Sequence, residues 1–156
     1  MNKLRTFLWF DDQAEQAVDF YTSIFEDARV GTVTRYGEAG PGEPGTVMTI
    51  DFELNGHPFV ALNGGPVFEF TSAISFVIDC QDQAEVDHYW DKLGEGGEHG
   101  QCGWLTDKFG VTWQVVPVVL YELVGGSDEA SQRATEAMLK MTKLEIAPLK
   151  VAYEQG

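Results

Sequence analysis

The stretch TFLWFDDQAEQAVDFY, residues 6–21, decides the fold. Its opening residues, Thr6–Phe10, are aromatic and apolar, which is typical of a strand covered on both faces. Asp12 then stands three residues before Glu15, a spacing that resembles a helix capping box. The apolar residues that follow recur at helical spacing: Ala14, Ala17, Val18, Tyr21, Ile24 and Phe25. The stretch predicts a buried strand followed by an amphipathic helix.

A second copy of this unit lies further along the chain, in FVIDCQDQAEVDHY at residues 76–89. The letters Asp-Gln-Ala-Glu occur at Asp12–Glu15 and again at Asp82–Glu85, each time after a strand-like run and before a helical pattern. Chance could produce four shared letters, but hardly strand, cap and helix together. The sequence therefore predicts an internal duplication of a strand-helix unit.

Three further strands are expected after each helix. In the first copy they span residues 29–36, 47–54 and 57–63, and Asn55-Gly56 between the last two is a strong hairpin signal. A two-residue turn there pairs Phe52 with Phe59 and Ile50 with Ala61, and it brings Met48 opposite Asn63. The second copy predicts strands over 97–101, 102–106 and 111–116.

The organisation follows from these elements. We expect an α+β fold with a first βαβββ module at residues 1–70, a second at 71–117 and a helical C-terminal extension at 118–156. In the extension, small and methionine side chains fall on one helical face, namely Ala130, Ala134, Ala137, Met138 and Met141. That face favours helix packing or a subunit seam over an adaptable binding surface.

Charge and cysteine content limit the partners. The 25 acidic and 10 basic residues give a net charge of −15, which would repel phosphate backbones, so nucleic acid and anionic membranes are not expected partners. The apolar runs are too short to cross a bilayer. Two cysteines, Cys80 and Cys102, occur without a C-x-x-C pairing, which favours reduced thiols and a cytoplasmic location.

Several segments together resemble the vicinal oxygen chelate superfamily of glyoxalases, dioxygenases and bleomycin-resistance proteins, whose fold is a pair of βαβββ modules. Within it the chain is most similar to the PhnB-like branch, often described as demethylubiquinone methyltransferase-like. The most particular segment is Cys102–Gly110 followed by Trp113-Gln114, and Ala61–Pro66 and Ala73–Phe76 also match. The resemblance spans most of the chain up to Pro117 and implies a homodimer.

The superfamily's chemistry, as the resemblance implies it, uses a divalent metal held by His, Glu or Gln side chains, which polarises two neighbouring substrate oxygens. Aligned on this chain, the ligand positions are Thr6, Ala61, Ala73 and Gln114. Alanine has no donor atom, and one amide oxygen cannot hold a transition metal. We therefore expect no metal and no other cofactor.

The hairpin register places Ala61 on an apolar face beside Ile50 and Phe52. Thr6, Ser75 and Gln114 add a few neutral hydrogen-bonding groups to this predicted surface and no charge. The predicted ligand-binding residues are Thr6, Leu8, Phe59, Ala61, Asn63, Ser75 and Gln114. Such a pocket suits a small, largely apolar or aromatic molecule held by a few polar contacts.

Two other functions stay open. One is an isomerase, lyase or dioxygenase that uses a displaced metal site or the weak catalytic candidates Cys102 and Gln114, with His99 as the base nearest to the thiol. Asp51 and Glu53 could act as paired acids, although a solvated sheet surface explains them more simply. The other is a structural or partner-binding protein whose pocket is filled by its own side chains.

Two further patterns concern the methyltransferase-like description and the stacking of a planar ligand. A common methyltransferase would place a glycine-rich turn between a strand and a helix, whereas the glycines at 37–45 lie between two predicted strands, so methyl transfer is not favoured. Trp9, Trp104 and Trp113 could stack a planar ligand, but core packing is expected for two of the three.

Overall fold

The computed structural model describes residues 3–155 and divides the chain into two compact units, Met1–Glu69 and Phe70–Gly156. The first unit contains the first predicted module. The second contains the second module together with the C-terminal extension, so the extension packs as part of that unit.

The first unit has one helix and four strands. Its elements are β1 (Thr6–Phe10), α1 (Ala14–Ile24), β2 (Ala28–Arg35), β3 (Val47–Leu54) and β4 (His57–Asn63). The sheet order is β1-β4-β3-β2, with β1 parallel to β4. Phe52 pairs with Phe59 and Ile50 with Ala61, which confirms the register that the hairpin signal predicts.

The second unit repeats this arrangement and adds three helices. Its elements are β5 (Phe76–Cys80), α2 (Gln83–Gly94), β6 (Glu98–His99), β7 (Trp104–Thr106), β8 (Thr112–Pro117), α3 (Leu120–Leu123), α4 (Glu129–Leu139) and α5 (Ile146–Glu154). The order β5-β8-β7-β6, with β5 parallel to β8, matches the first sheet. The observed β6 and β7 are shorter than predicted because Cys102 and Gly103 take left-handed backbone angles, φ 57° and 84°, which end an extended strand.

In each sheet one face packs against its own helix. In the first unit Phe52 stacks on Tyr21 of α1, with ring centroids 6.3 Å apart, and on Phe59, at 5.0 Å. In the second unit Phe76 and Trp113 lie 5.3 Å apart on the equivalent face, next to Ile78. The other face of each sheet, which points away from the module's own helix, is called the distal face below.

The two helices begin in different ways. The predicted Asp12 cap is wrong: α1 has Gln13 at its N-cap with no side-chain hydrogen bond, and the first helical amide, from Ala14, donates instead to Oδ1 of Asn63 at 2.8 Å. Asp82, by contrast, caps α2 by accepting from the Glu85 amide at 2.9 Å. The same four letters therefore begin two helices through different partners.

The C-terminal extension forms a small core against the end of β8. Its buried members are Leu120, Leu123, Ala134, Leu144 and Leu149, which pack with Val116. Gln83 at the start of α2 holds the extension, because its amide donates to the Leu144 carbonyl at 3.1 Å and accepts from the Ile146 amide at 2.8 Å. Within residues 3–155 no helix has both the length and the apolar character that a membrane crossing needs.

Candidate functional site

Three of the predicted ligand-binding residues lie in the core of the first unit. Ala61 is 0% exposed, Phe59 4% and Leu8 5%, because the face that carries them is the one covered by α1. The pairing that the sequence predicts is correct, but strand alternation alone does not say which face a helix covers. These side chains therefore leave almost no surface for a ligand.

The other two predicted residues of the first unit make contacts that support the fold. Thr6 Oγ1 lies 2.9 Å from His57 Nε2 at the end of the hairpin. Asn63 uses both ends of its amide, since Oδ1 caps α1 while Nδ2 donates to Glu15 at 2.7 Å and to the Val47 carbonyl at 3.1 Å. Asn63 therefore links β4 to α1 and to β3.

The remaining predicted pair is brought together in the second unit. Gln114 Nε2 donates to Ser75 Oγ at 2.9 Å on the distal face. Gln114 pairs with Val77 on one side and with Trp104 on the other, so the three side chains form one row across β5, β8 and β7. Val77 is 49% exposed and Trp104 37%, which is unusual for large apolar side chains. We call these three residues the central row.

Hydroxyl groups flank the central row on one side. Thr112 and Thr106 pair with each other one row along, and Ser72 Oγ lies 2.9 Å from Thr112 Oγ1. A cavity of about 210 Å³ lies here, with Ser72, Trp104, Thr106 and Thr112 among its lining residues. The surface therefore combines an aromatic and an aliphatic side chain with an amide and the hydroxyls of Ser72 and Thr106, whereas Thr112 is buried.

Sequence reasoning missed Val77. Its signal was the alternation around Ile78: because Ile78 faces α2 and is 7% exposed, its neighbour Val77 must face the opposite way. Of the three candidate stacking residues, Trp113 is buried, and Trp9 is half-buried with its indole donating to the Gly65 carbonyl at 2.9 Å. Trp104 is the one with a substantially exposed side chain.

The distal face of the first sheet is charged. A cavity of about 360 Å³ there is lined in part by Arg5, Arg29, Asp51 and Glu53. Asp51 lies 4.0 Å from Arg5, and Glu53 accepts a hydrogen bond from Arg29. Each acid is thus matched with an arginine, an arrangement that fits a solvated sheet surface better than an acid-base pair.

Cys102 and His99 do not form a catalytic pair. The Cys102 thiol donates to the Met138 carbonyl at 3.5 Å, and its amide donates to the Met141 carbonyl at 2.8 Å, so it faces the extension. His99 instead stacks on Trp90 of α2, with ring centroids 4.4 Å apart, and hydrogen-bonds to that residue's carbonyl. The base expected for Cys102 is directed elsewhere.

Cys80 is an inert thiol. It is buried at the end of β5, and burial, with the Glu85 and Asp79 carboxylates nearby, raises the pKa of its thiol to about 12. A thiol in that state does not supply a thiolate at neutral pH.

Asp107, in the segment Cys102–Gly110 that carries the most particular family resemblance, has a structural role. The buried Asp107 carboxylate accepts the amides of Phe109 at 2.8 Å and Val111 at 3.1 Å, and its second oxygen accepts the Trp113 indole at 2.8 Å. This network fixes the turn between β7 and β8. It holds the strand that carries Gln114 in place, without exposing Asp107 itself.

The sequence model of the 3-demethylubiquinone-9 3-methyltransferase family matches residues 2–116. The chain belongs to that family. A Bacillus cereus PhnB protein with the same description is 37% identical and has a TM-score of 0.68, over 74% of this chain and 99% of its own. Among curated protein sequences none matches this chain. The family match ends at residue 116, so the helices of the extension lie beyond it.

More distant structures share the fold alone. A Pseudomonas aeruginosa protein is 18% identical with a TM-score of 0.62, covering 75% of this chain and 98% of its own. The fosfomycin resistance protein FosX from Mesorhizobium loti is 15% identical with a TM-score of 0.56, covering 78% and 97%. With the PhnB relative, they place this PhnB-like chain in the vicinal oxygen chelate fold.

The donor set does not fit the metal of that superfamily. Residues 3–155 contain no group of three or more His, Cys, Asp or Glu side chains arranged to hold a metal ion. Of the four aligned positions, Ala61 and Ala73 carry no donor, Thr6 binds His57, and Gln114 binds Ser75. The residues at these positions therefore do not fit a divalent metal.

Proposed function

We propose that this PhnB-like protein binds a small, largely apolar or aromatic molecule on the distal face of its second sheet, without a metal. The observation that carries the proposal is the central row, where Gln114 lies between the exposed side chains of Val77 and Trp104. Exposed apolar groups beside a few fixed polar groups are the usual composition of a ligand site.

Each residue of the row would have a distinct role. Trp104 offers an indole face for stacking, and Val77 offers an aliphatic contact on the opposite side of Gln114. The Gln114 amide, fixed by its hydrogen bond to Ser75, would orient a hydroxyl or carbonyl group of the ligand. Because the row carries no charge and the chain has a net charge of −15, a neutral ligand is favoured over an anion.

The family description names methyl transfer to a demethylubiquinone. The geometry favours the binding of an aromatic, oxygen-bearing molecule of that class, but it does not favour the transfer of a methyl group. The glycine-rich residues 37–45 connect two antiparallel strands, and this loop packs on Tyr36 through Gly40 and Gly42. A loop of that kind has no helix N-terminus to receive the phosphates or carboxylate of a nucleotide-type cofactor.

Calorimetric titration with 1-naphthol, a neutral aromatic alcohol, tests the proposal. We expect binding to the purified protein and an affinity about tenfold weaker in Gln114→Leu, because the substitution removes the polar contact while keeping the volume. Gln16→Leu, on the exposed side of α1, is the matched control and should bind as the unchanged protein does. Equal affinity in all three proteins would contradict the assignment of the site.

We further propose that the protein is a homodimer and works in the reducing cytoplasm. Support for the dimer comes from β2, an edge strand whose Val30 and Val33 side chains are 54% and 44% exposed. Support for the compartment comes from Cys80 and Cys102, which are both free thiols. Native mass spectrometry of untagged protein reports subunit number, bound metal and any co-purified organic molecule in one spectrum.

A further inference from the structure

The C-terminal extension contacts the part of the distal face that lies directly beyond the central row. Asp79 and Val116 pair with each other there, two residues along β5 and β8 from Val77 and Gln114. The Tyr121 hydroxyl, from α3, donates to Asp79 Oδ1 at 2.8 Å, and Val116 is buried in the core of the extension. Each strand position in this second row therefore contacts the extension.

The chain that leads into β7, the third strand of the central row, also contacts the extension. Two residues before Trp104, Cys102 donates through its thiol to the Met138 carbonyl of α4 and through its amide to the Met141 carbonyl just after α4. The Gly103 amide donates to the Thr142 carbonyl at 2.8 Å. Across β5, β8 and the chain leading into β7, the distal face thus passes from an accessible row to one that contacts the extension, with Asp79 still exposed beside Tyr121. Two residues of a strand span about 7 Å, so this boundary lies close to the central row.

We propose that the extension is the end wall of the ligand site and limits the length of the molecule that the central row accepts, with Tyr121 as the side chain nearest to the ligand. This inference rests on the proposed function. It assigns a role in ligand selection to helices beyond the family match, which ends at residue 116.

Tyr121 suits this role because it belongs to the extension but not to its core. Its side chain is 58% exposed, while its hydroxyl is fixed on Asp79. Burial of the hydroxyl and its hydrogen bond to the Asp79 carboxylate raise the pKa of Tyr121 to about 12, so the phenol stays a neutral donor at physiological pH. The ring can therefore be replaced without opening the core.

The test compares two neutral probes of different length, 1-naphthol and the longer 4-phenylphenol, in calorimetric titrations. Tyr121→Ala removes the part of the wall nearest to the ligand, and we expect the affinity of this variant for 4-phenylphenol relative to 1-naphthol to rise about tenfold. Tyr121→Phe keeps the ring and loses the anchor on Asp79, so a smaller rise is expected. Leu139→Ala, a similarly exposed apolar site at 59% on α4, is the control and should leave the ratio unchanged.

The outcomes separate the two proposals. If 1-naphthol binds and Gln114→Leu weakens it, but Tyr121→Ala leaves the ratio of affinities unchanged, the end wall is wrong and the binding function stands. If neither probe binds any of the proteins, the binding function fails and the wall fails with it. Thermal melting of each variant checks that the fold is retained.

Discussion

The two modules share a topology and differ in what surrounds their distal faces. Both sheets place their first strand at an edge, parallel to their last, and both helices begin with Asp-Gln-Ala-Glu. The first distal face carries arginine-carboxylate pairs, whereas the second carries the neutral central row and meets the extension. Duplication supplies the scaffold, and the side chains on the distal face make one copy the better candidate for ligand binding.

The shared letters also serve different purposes. Gln13 of the first copy is an exposed N-cap residue without a side-chain capping bond, while Gln83 of the second copy binds the extension through both ends of its amide. Asp12 does not cap α1, but Asp82 caps α2. Identical local sequence thus gives the same helix, and tertiary partners decide what its side chains do.

Gly103→Ala should have the largest effect, because Gly103 packs closely against both β8 and the extension that distinguishes the second module. Gly103 has a φ of 84°, and a Cβ there would lie 2.7 Å from the Val115 carbonyl oxygen and 2.9 Å from Leu144. We expect a loss of about 3 kcal/mol in the free energy of unfolding, since strain and a backbone clash add. Urea unfolding followed by circular dichroism measures it.

Gly45→Ala, in the first module, is the matched control for that variant. Gly45 has a similar φ of 89°, but its Cβ would meet nothing within 4 Å. The cost there is about 1 kcal/mol, the backbone strain alone. If the two substitutions destabilise equally, close packing of Gly103 against Val115 and Leu144 is not what requires glycine.

The two helix caps should differ in strength. Asn63→Ala removes the cap of α1 together with the bonds to Glu15 and Val47, and we expect a cost of about 2 kcal/mol. Asp82→Ala removes one capping bond of α2, for which about 1 kcal/mol is expected. Amide hydrogen exchange would locate the loss at the start of α1 or α2. A larger loss of unfolding free energy for Asp82→Ala than for Asn63→Ala would contradict the role of Asn63 as the link between β4, α1 and β3.

Much of the scaffold could be predicted from sequence because its signals are local. The alternation of residues 47–54 and the Asn55-Gly56 turn fix a hairpin register within one segment, and the observed pairs agree with it. Both helices follow a strand and the same four letters, and the buried residues of α1 are predicted ones, such as Val18 and Tyr21. These features need no knowledge of distant residues.

The candidate site was harder to predict because it depends on distant contacts. Alternation divides Ile50 and Ala61 from Asp51 and Val60, but it does not say which set a helix covers, so the predicted pocket fell on the core face. Likewise, nothing near Cys102 in the sequence indicates that Met138 would lie against its thiol. Gln114 and Ser75 are joined by a hydrogen bond in the structure, but their assignment as ligand-binding residues comes from the family resemblance and stays a prediction.

The smallest effect is expected at Asp87, whose equivalent in the first helix is Asp19. The Asp87 carboxylate accepts from Gln83 at 3.0 Å and lies 3.1 Å from Lys143 of the extension, and these contacts hold its pKa below the ordinary value near 3.8. A lowered pKa in the folded state means that the stabilisation is present above the ordinary pKa and is lost as the pH falls through the lowered one. The pair is partly exposed, so it contributes only a few tenths of a kcal/mol.

Thermal melts of Asp87→Asn should show a lower Tm than the unchanged protein at pH 7, and the two curves should converge as the pH falls to about 3. Asp19→Asn, at an exposed position of α1, is the matched control and should leave the Tm at pH 7 unchanged. A constant difference across this pH range for Asp87→Asn would mean that the ion pair does not contribute to holding the extension.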